Sequence, residues 1–231
     1  SATIGTADLT CGIGQIAATD IVARLNWCRA NGMRVFPNLA PGNFTTFLTN
    51  GVFDPVKWKA KFGLTNTPAI KSAIASAVTD DVMPGCILLD EPHNNKWGGY
   101  FDTNWSTKLD DLADYAHSIH PTLPVGPVEP WNLAPSGHTL SECDFIGSQY
   151  WNAYGDCEAW RDGGLNYAAT KGHKIYFSIN ILDGGVRGRP CGSNTGGTGT
   201  FGENCRVTPE QLEEWGLILG EGTTGLLSMW K

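Results

Sequence analysis

The sequence predicts an α/β fold, a (β/α)-barrel of seven to eight parallel strands forming a single domain over residues 1–231. Three observations predict it. Short β-rich apolar runs recur along the chain, and segments of helical periodicity separate most of them. A length of 231 residues with 41% hydrophobic content suits one sizeable core and is short for two. Strands that are apolar on both faces read as parallel strands covered by helices. The rival is an open dinucleotide-binding sheet, which calls for G-x-G-x-x-G after its first strand. CGIG after ATIGTADLT does not complete that pattern.

Taken in order, a first strand is expected near ATIGT and a first helix around Asp20 to Arg29. RVFPNL, CILLDEP, LPVGPV, DFIGSQYW, KIYFSINIL and GLLSMW read as the following strands. Helix starts are marked by Asp54-Pro55, Thr67-Pro68, Ser106 before the 109–119 run, and Thr208-Pro209, where Gln211 completes a capping box. Behind that last cap, Leu212, Trp215 and Leu219 share one face. An eighth strand lies between Leu64 and Asp81, or the barrel is incomplete or closes differently. Trp58, Trp160 and Trp215 fall on helices and are expected to pack between helix and sheet.

The formal net charge is -7, with Lys and Arg scattered, which leaves no basic patch for nucleic acid or an anionic membrane surface. No apolar run reaches the roughly 18 residues that span a bilayer. SATIGTADLT lacks the basic and apolar regions of a signal peptide, so any export signal is expected to have been removed. Seven cysteines without C-x-x-C spacing fit an oxidising, secreted location. Cys191 and Cys205 flank a glycine-rich segment and are expected to be bridged. Cys143 and Cys157 are a second candidate pair, Cys28 and Cys86 read as buried thiols, and Cys11 has no evident partner. Nothing in the sequence sets an oligomeric state.

In a barrel the chemistry sits at the C-terminal ends of the strands. Those ends carry Asn38, Asp90-Glu91-Pro92-His93, Glu129 with Trp131, Gln149-Tyr150-Trp151, Asn180, Asp183 and Trp230, and Trp97 follows closely after the third run. Glycosidic cleavage needs one carboxylic acid, a second carboxylate and flat apolar faces for sugar rings. Glu91 follows large apolar residues, a flank that would raise its pKa toward that of a working acid. Asp90 alternates to the other strand face and would orient Glu91. Asp183 and Glu129 are the candidates for the second carboxylate.

The segment ILLDEPH resembles the fourth-strand signature of the large clan of barrel glycoside hydrolases in which Asn-Glu-Pro carries the acid/base, and GLLSMWK resembles that clan's tryptophan-ended last strand. The resemblance implies Glu91 as acid/base, Trp230 beneath the sugar, and carbohydrate as the substrate. The sequence has Asp90 where the clan has Asn, and it lacks the seventh-strand nucleophile Glu. FDPVKWKAKF, SQYW, FSINILDGG and TPEQLEEWG are also similar to a group of uncharacterised secreted bacterial proteins.

Bland readings stand beside these. Glu91 could be a salt-bridging strand-end carboxylate, Asp183 a turn residue before two glycines, and Glu129 a solvated loop acid. Trp97, Trp131, Trp151 and Trp230 could cover barrel ends without touching ligand. Asp90, Glu91 and His93 could hold a metal for a metal-assisted hydrolase, although neighbours on an extended strand point to opposite sides, so no metal or other cofactor is expected. A non-catalytic glycan-binding or extracellular structural barrel is the other alternative. No G-x-S-x-G elbow supports an esterase.

Overall fold

The computed structural model describes residues 11–135, 138–151, 154–180, 207–221 and 227–230. The chain forms two compact units, one running to Val128 and including Ala134–Phe145, the other made of Glu129–Leu133 and the chain from Ile146 onward.

In the first unit the strands are β1 (Cys11–Gln15), β2 (Arg34–Asn38), β5 (Cys86–Asp90) and β6 (Val125–Val128), adjacent in that order and parallel. Helices α1 (Ile21–Ala30), α2 (Pro55–Phe62), α3 (Pro68–Thr79) and α4 (Trp105–Ile119) fill the connections. A two-stranded antiparallel hairpin, β3 (Leu48–Thr49) and β4 (Val52–Phe53), precedes α2. Caps explain where helices begin. Asp54 accepts from the backbone N–H groups of Val56 and Lys57, Thr67 accepts from that of Ile70, and each is followed by a proline whose missing N–H costs nothing there. At α4 the helix begins at Trp105 rather than after Ser106, because Asn104 turns the chain through the left-handed region without a side-chain cap. The span between Leu64 and Asp81 holds α3 and no strand.

Helix-to-sheet packing is anchored by buried aromatics. Trp58 donates its indole N–H to the carbonyl of Leu88 at 3.1 Å, tying α2 to β5 and adding about 1 kcal/mol to the burial of the ring. Phe62 stacks on Trp58, and Leu109, Leu112, Ala113, Ala116 and Ile119 give α4 a buried stripe. The four residues Cys86 to Leu89 of β5 are all buried, as a central parallel strand requires.

The second unit carries β7 (Phe145–Tyr150), β8 (Lys174–Asn180) and β9 (Leu227–Trp230) as neighbours in that order, with α5 (Cys157–Lys171) and α6 (Pro209–Gly220). Its own core gathers Ile146, Tyr150, Trp160, Phe177, Ile179, Trp215 and Leu219. The capping box at Thr208 and Gln211 opens α6 as the sequence predicts. Arg161, nearly buried on α5, reaches the Ile218 carbonyl and Glu221 at the end of α6.

The fold is α/β with parallel strands. The first strand is Cys11–Gln15, while the expected ATIGT strand falls outside the described residues. Among the described residues no pairing occupies the outer edge of β1, and a closed barrel is not established by them. Cys28 and Cys86 are buried free thiols, as expected, with burial pushing the Cys86 thiol up to about 12. Cys143 and Cys157 are free and buried too, which corrects the second candidate pair. The expected Cys191–Cys205 bridge lies outside the described residues. Among the described residues no helix is long and apolar enough to cross a membrane.

Candidate functional site

The end of β5 is irregular. Its register against β6 slips between Ile87 and Asp90, so one extra residue is accommodated before the strand stops. Glu91 then takes a φ of 48°, the left-handed region that a non-glycine residue enters at a cost of about 1–2 kcal/mol. The backbone is held there by the Glu91 N–H on the Val128 carbonyl at 2.7 Å. The strand alternation expected for Asp90 and Glu91 therefore ends at Asp90. Both carboxylates meet the same ammonium, Lys96 Nζ lying 2.9 Å from Asp90 Oδ2 and 3.2 Å from Glu91 Oε2. Asn94 donates its side-chain amide to Glu91 Oε2 at 3.1 Å, while its own oxygen caps the short turn carrying Lys96. Both carboxylates are about one-third exposed (37% and 36%), so each ion pair contributes only about 0.2–1 kcal/mol. Burial pushes the Asp90 carboxyl up, with Glu91 adding repulsion, against the pull of Lys96 and His93. Sequence reading missed Lys96 and Asn94; the signal was an E-P-H-N-N-K run whose donors follow the carboxylates within one turn.

Beneath this cluster lies Trp97. It is 4% exposed and shares its indole N–H between the carbonyls of Asp90 (3.1 Å) and Glu91 (3.0 Å). Its ring packs edge-on against Phe53, and Gly98 lets the hairpin close on it, since a Cβ there would stand 2.1 Å from the Gly51 carbonyl oxygen. Expected as a sugar platform, Trp97 is instead the prop under the two carboxylate residues. Asn38 ends β2 half-buried, its side-chain oxygen accepting from the Ala40 N–H at 2.8 Å. His93 is half-buried as well. Among the described residues no group of three His, Cys, Asp or Glu side chains is arranged to hold a metal, Asp90, Glu91 and His93 included.

The second unit presents a different cluster. Glu129, a candidate second carboxylate whose alternative reading is a solvated loop acid, is fully buried, which excludes the solvated reading, and its N–H bonds the Gly147 carbonyl at 2.7 Å. Burial pushes the Tyr167 phenol up, with repulsion added by Glu129. Trp131 follows it, with its N–H on Ser148 Oγ at 2.8 Å and its ring beside Trp160 and Tyr167. At the ends of β7 and β8, the Asn180 amide donates to Gln149 at 3.1 Å. Tyr150 departs from its expected substrate-facing role: at 1% exposure it packs against Trp160 and Trp215 and donates its hydroxyl to the Gly155 carbonyl at 2.6 Å. Trp151 stays half-buried, edge-on to Tyr154. Trp230 is paired in register with Asn180, and its side chain, like all of Asp183, lies outside the described residues.

No protein-family model matches the chain, and no curated protein matches it at a significant level. Solved structures similar to it include the β-glucuronidase of Bifidobacterium dentium complexed with coumarin-3-O-glucuronide, at 12% identity and a TM-score of 0.48 over 96% of this chain and 40% of that one. The chain thus spans less than half the length of that enzyme. A family 113 β-mannanase from Alicyclobacillus acidocaldarius is similar at 11% identity and a TM-score of 0.46, over 93% of this chain and 67% of that one. The glycoside hydrolase domain of PelA from Pseudomonas aeruginosa is similar at 11% identity and a TM-score of 0.42, over 95% and 94%. At these values the likenesses identify no family and assign no residue a role.

Proposed function

We propose that the chain is a glycoside hydrolase that cleaves a poly- or oligosaccharide, built as a single secreted (β/α)-barrel domain with Glu91 as the general acid. One observation carries the reading: an acidic residue is kept in a strained left-handed conformation at a bulged strand end, half-exposed between an ammonium and an amide donor. Strain of this kind persists only where the surroundings over-determine it, and it concentrates at functional sites. The ILLDEPH resemblance points to the same residue. Lys96 balances the charge that Glu91 acquires on giving its proton to the leaving oxygen, and Asp90 shares that ammonium. Glu129 and Asp183 are the candidates for the second carboxylate. Asn38 and His93 are the candidates for polar contacts in the same unit as Glu91.

A non-catalytic glycan binder is the second reading. It is favoured by β8 ending in Asn180, an amide engaged with Gln149, near where the resemblance calls for a nucleophilic Glu. A screen of plant, fungal and bacterial glycans for released reducing ends separates the two. Cleavage, with the first-formed anomer read by NMR and rates compared for Glu129→Gln and Asp183→Asn, upholds the hydrolase and assigns the second carboxylate. Retention of a glycan in affinity electrophoresis without any cleavage would overturn it in favour of the binder.

A further inference from the structure

Between β2 and α2 the chain makes a loop fixed at several points. Asn38 holds the Ala40 N–H, and the Gln15 side chain brackets Gly42, accepting from its N–H at 3.0 Å and donating to its carbonyl at 3.2 Å. Asn43 caps a short helical turn at Phe44–Phe47, and the Phe47 carbonyl accepts the Asp54 N–H at 2.7 Å. Phe47 points inward and is buried. Phe44, at the head of the same turn, is 40% exposed. Phe44 is thus an exposed ring on a turn whose backbone is held by several hydrogen bonds.

The Phe44 ring stands edge-on to Trp97, centroids 6.4 Å apart, and the Trp97 indole N–H is bonded to the carbonyls of Asp90 and Glu91. Lys96, which holds both carboxylates, lies over the Trp97 ring at 5.5 Å. One buried indole therefore links an exposed aromatic to the acidic pair. We propose that Phe44 is a sugar-stacking platform of the Glu91 site, taking the apolar C–H face of a pyranose ring bound there. This rests on the glycoside hydrolase reading and adds a binding residue to it. Aromatic rings hold sugars through such faces, and a ring at a fixed turn binds without an ordering penalty.

The test is steady-state kinetics on a cleaved glycan for the full chain and for Phe44→Ala, Phe44→Leu and Phe44→Trp, with Glu91→Gln beside them. Phe44→Ala should raise KM about tenfold, the effect of losing about 1.4 kcal/mol of binding, with kcat within about twofold. Phe44→Trp should restore KM, and Phe44→Leu, apolar but not flat, should not. A wild-type KM in Phe44→Ala, or equal rescue by Leu, overturns the platform even where Glu91→Gln is inactive and the hydrolase reading stands. If no glycan is cleaved, the hydrolase reading falls and affinity electrophoresis decides: retardation lost in Phe44→Ala but kept in Glu91→Gln upholds the platform. Retardation unchanged in Phe44→Ala, or absent in the wild type on every glycan, overturns it.

Discussion

Replacing Trp97 with Phe removes the single N–H that two backbone carbonyls share beneath Asp90 and Glu91. The lost hydrogen bonding costs about 1 kcal/mol net. Shrinking a side chain that is 4% exposed, between Phe53 and the turn at Gly98, adds about 1–2 kcal/mol of lost contacts and cavity. Together these make about 2–3 kcal/mol, or roughly 5–10 °C in Tm for a chain of 231 residues. Urea denaturation should show a lower midpoint at unchanged slope. Kinetics on a cleaved glycan should show kcat falling more than KM rises, because the prop orients Glu91 and does not touch sugar. Were Trp97→Phe to unfold at the wild-type midpoint while KM alone rose, Trp97 would be a binding face, and the assignment of a supporting role would be wrong.

Three further outcomes follow from single sites. His120 is buried with its ring nitrogen 2.8 Å from Thr65 Oγ1, and burial pulls its pKa down to about 4 from 6.5. Between those values the unfolded chain binds a proton that the folded chain refuses. Stability contributed by this residue is therefore lost as pH falls from about 6.5 to about 4, by roughly 3 kcal/mol. His120→Gln should flatten that part of a stability–pH curve, and an unchanged slope would contradict the assignment. Gly126→Ala would place a Cβ 2.0 Å from the Phe145 carbonyl oxygen, so soluble folded protein should be lost or its stability reduced by more than about 3 kcal/mol, as read by circular dichroism. Alkylation in denaturant without reductant should label Cys28, Cys86, Cys143 and Cys157 together, and a linked Cys143–Cys157 peptide would refute their free state.

Side-chain chemistry made part of the fold legible. Asp54, Thr67 and Thr208 announce helices because their oxygens are the caps themselves. Asn104 does not, since its contribution is a left-handed backbone with no side-chain bond. The strand Cys11–Gln15 is hidden by its two glycines, which carry none of the branched or aromatic bulk that marks a strand. The hairpin at Leu48–Phe53 is absent from the elements expected of the sequence, although Asn50-Gly51, with positive φ angles of 53° and 80°, is the signal of the favoured two-residue turn. Asn38, Asp90, Glu91, Gln149 and Asn180 stand at or beside strand ends because each follows an apolar run. What escaped was set by tertiary neighbours. Period-two alternation separates Asp90 from Glu91 only while the strand continues, and the bulge and the turn at Glu91 end it. Trp97 and Tyr150 look like Trp131 and Trp151 in sequence. Only the partners packed around them, Phe53 for one and Trp160 with Trp215 for the other, decide that they support the site and the core.

The most direct test of Glu91 as the general acid is kcat for Glu91→Gln on a glycan that the wild-type protein cleaves. Gln keeps the shape and the contact with Asn94 while removing the titratable proton, so the fold should persist by circular dichroism. A fall in kcat of roughly 10²–10⁴-fold is the expected result. Cleavage by Glu91→Gln at the wild-type rate would contradict the account and move the acid elsewhere, with Glu129 the next residue to replace.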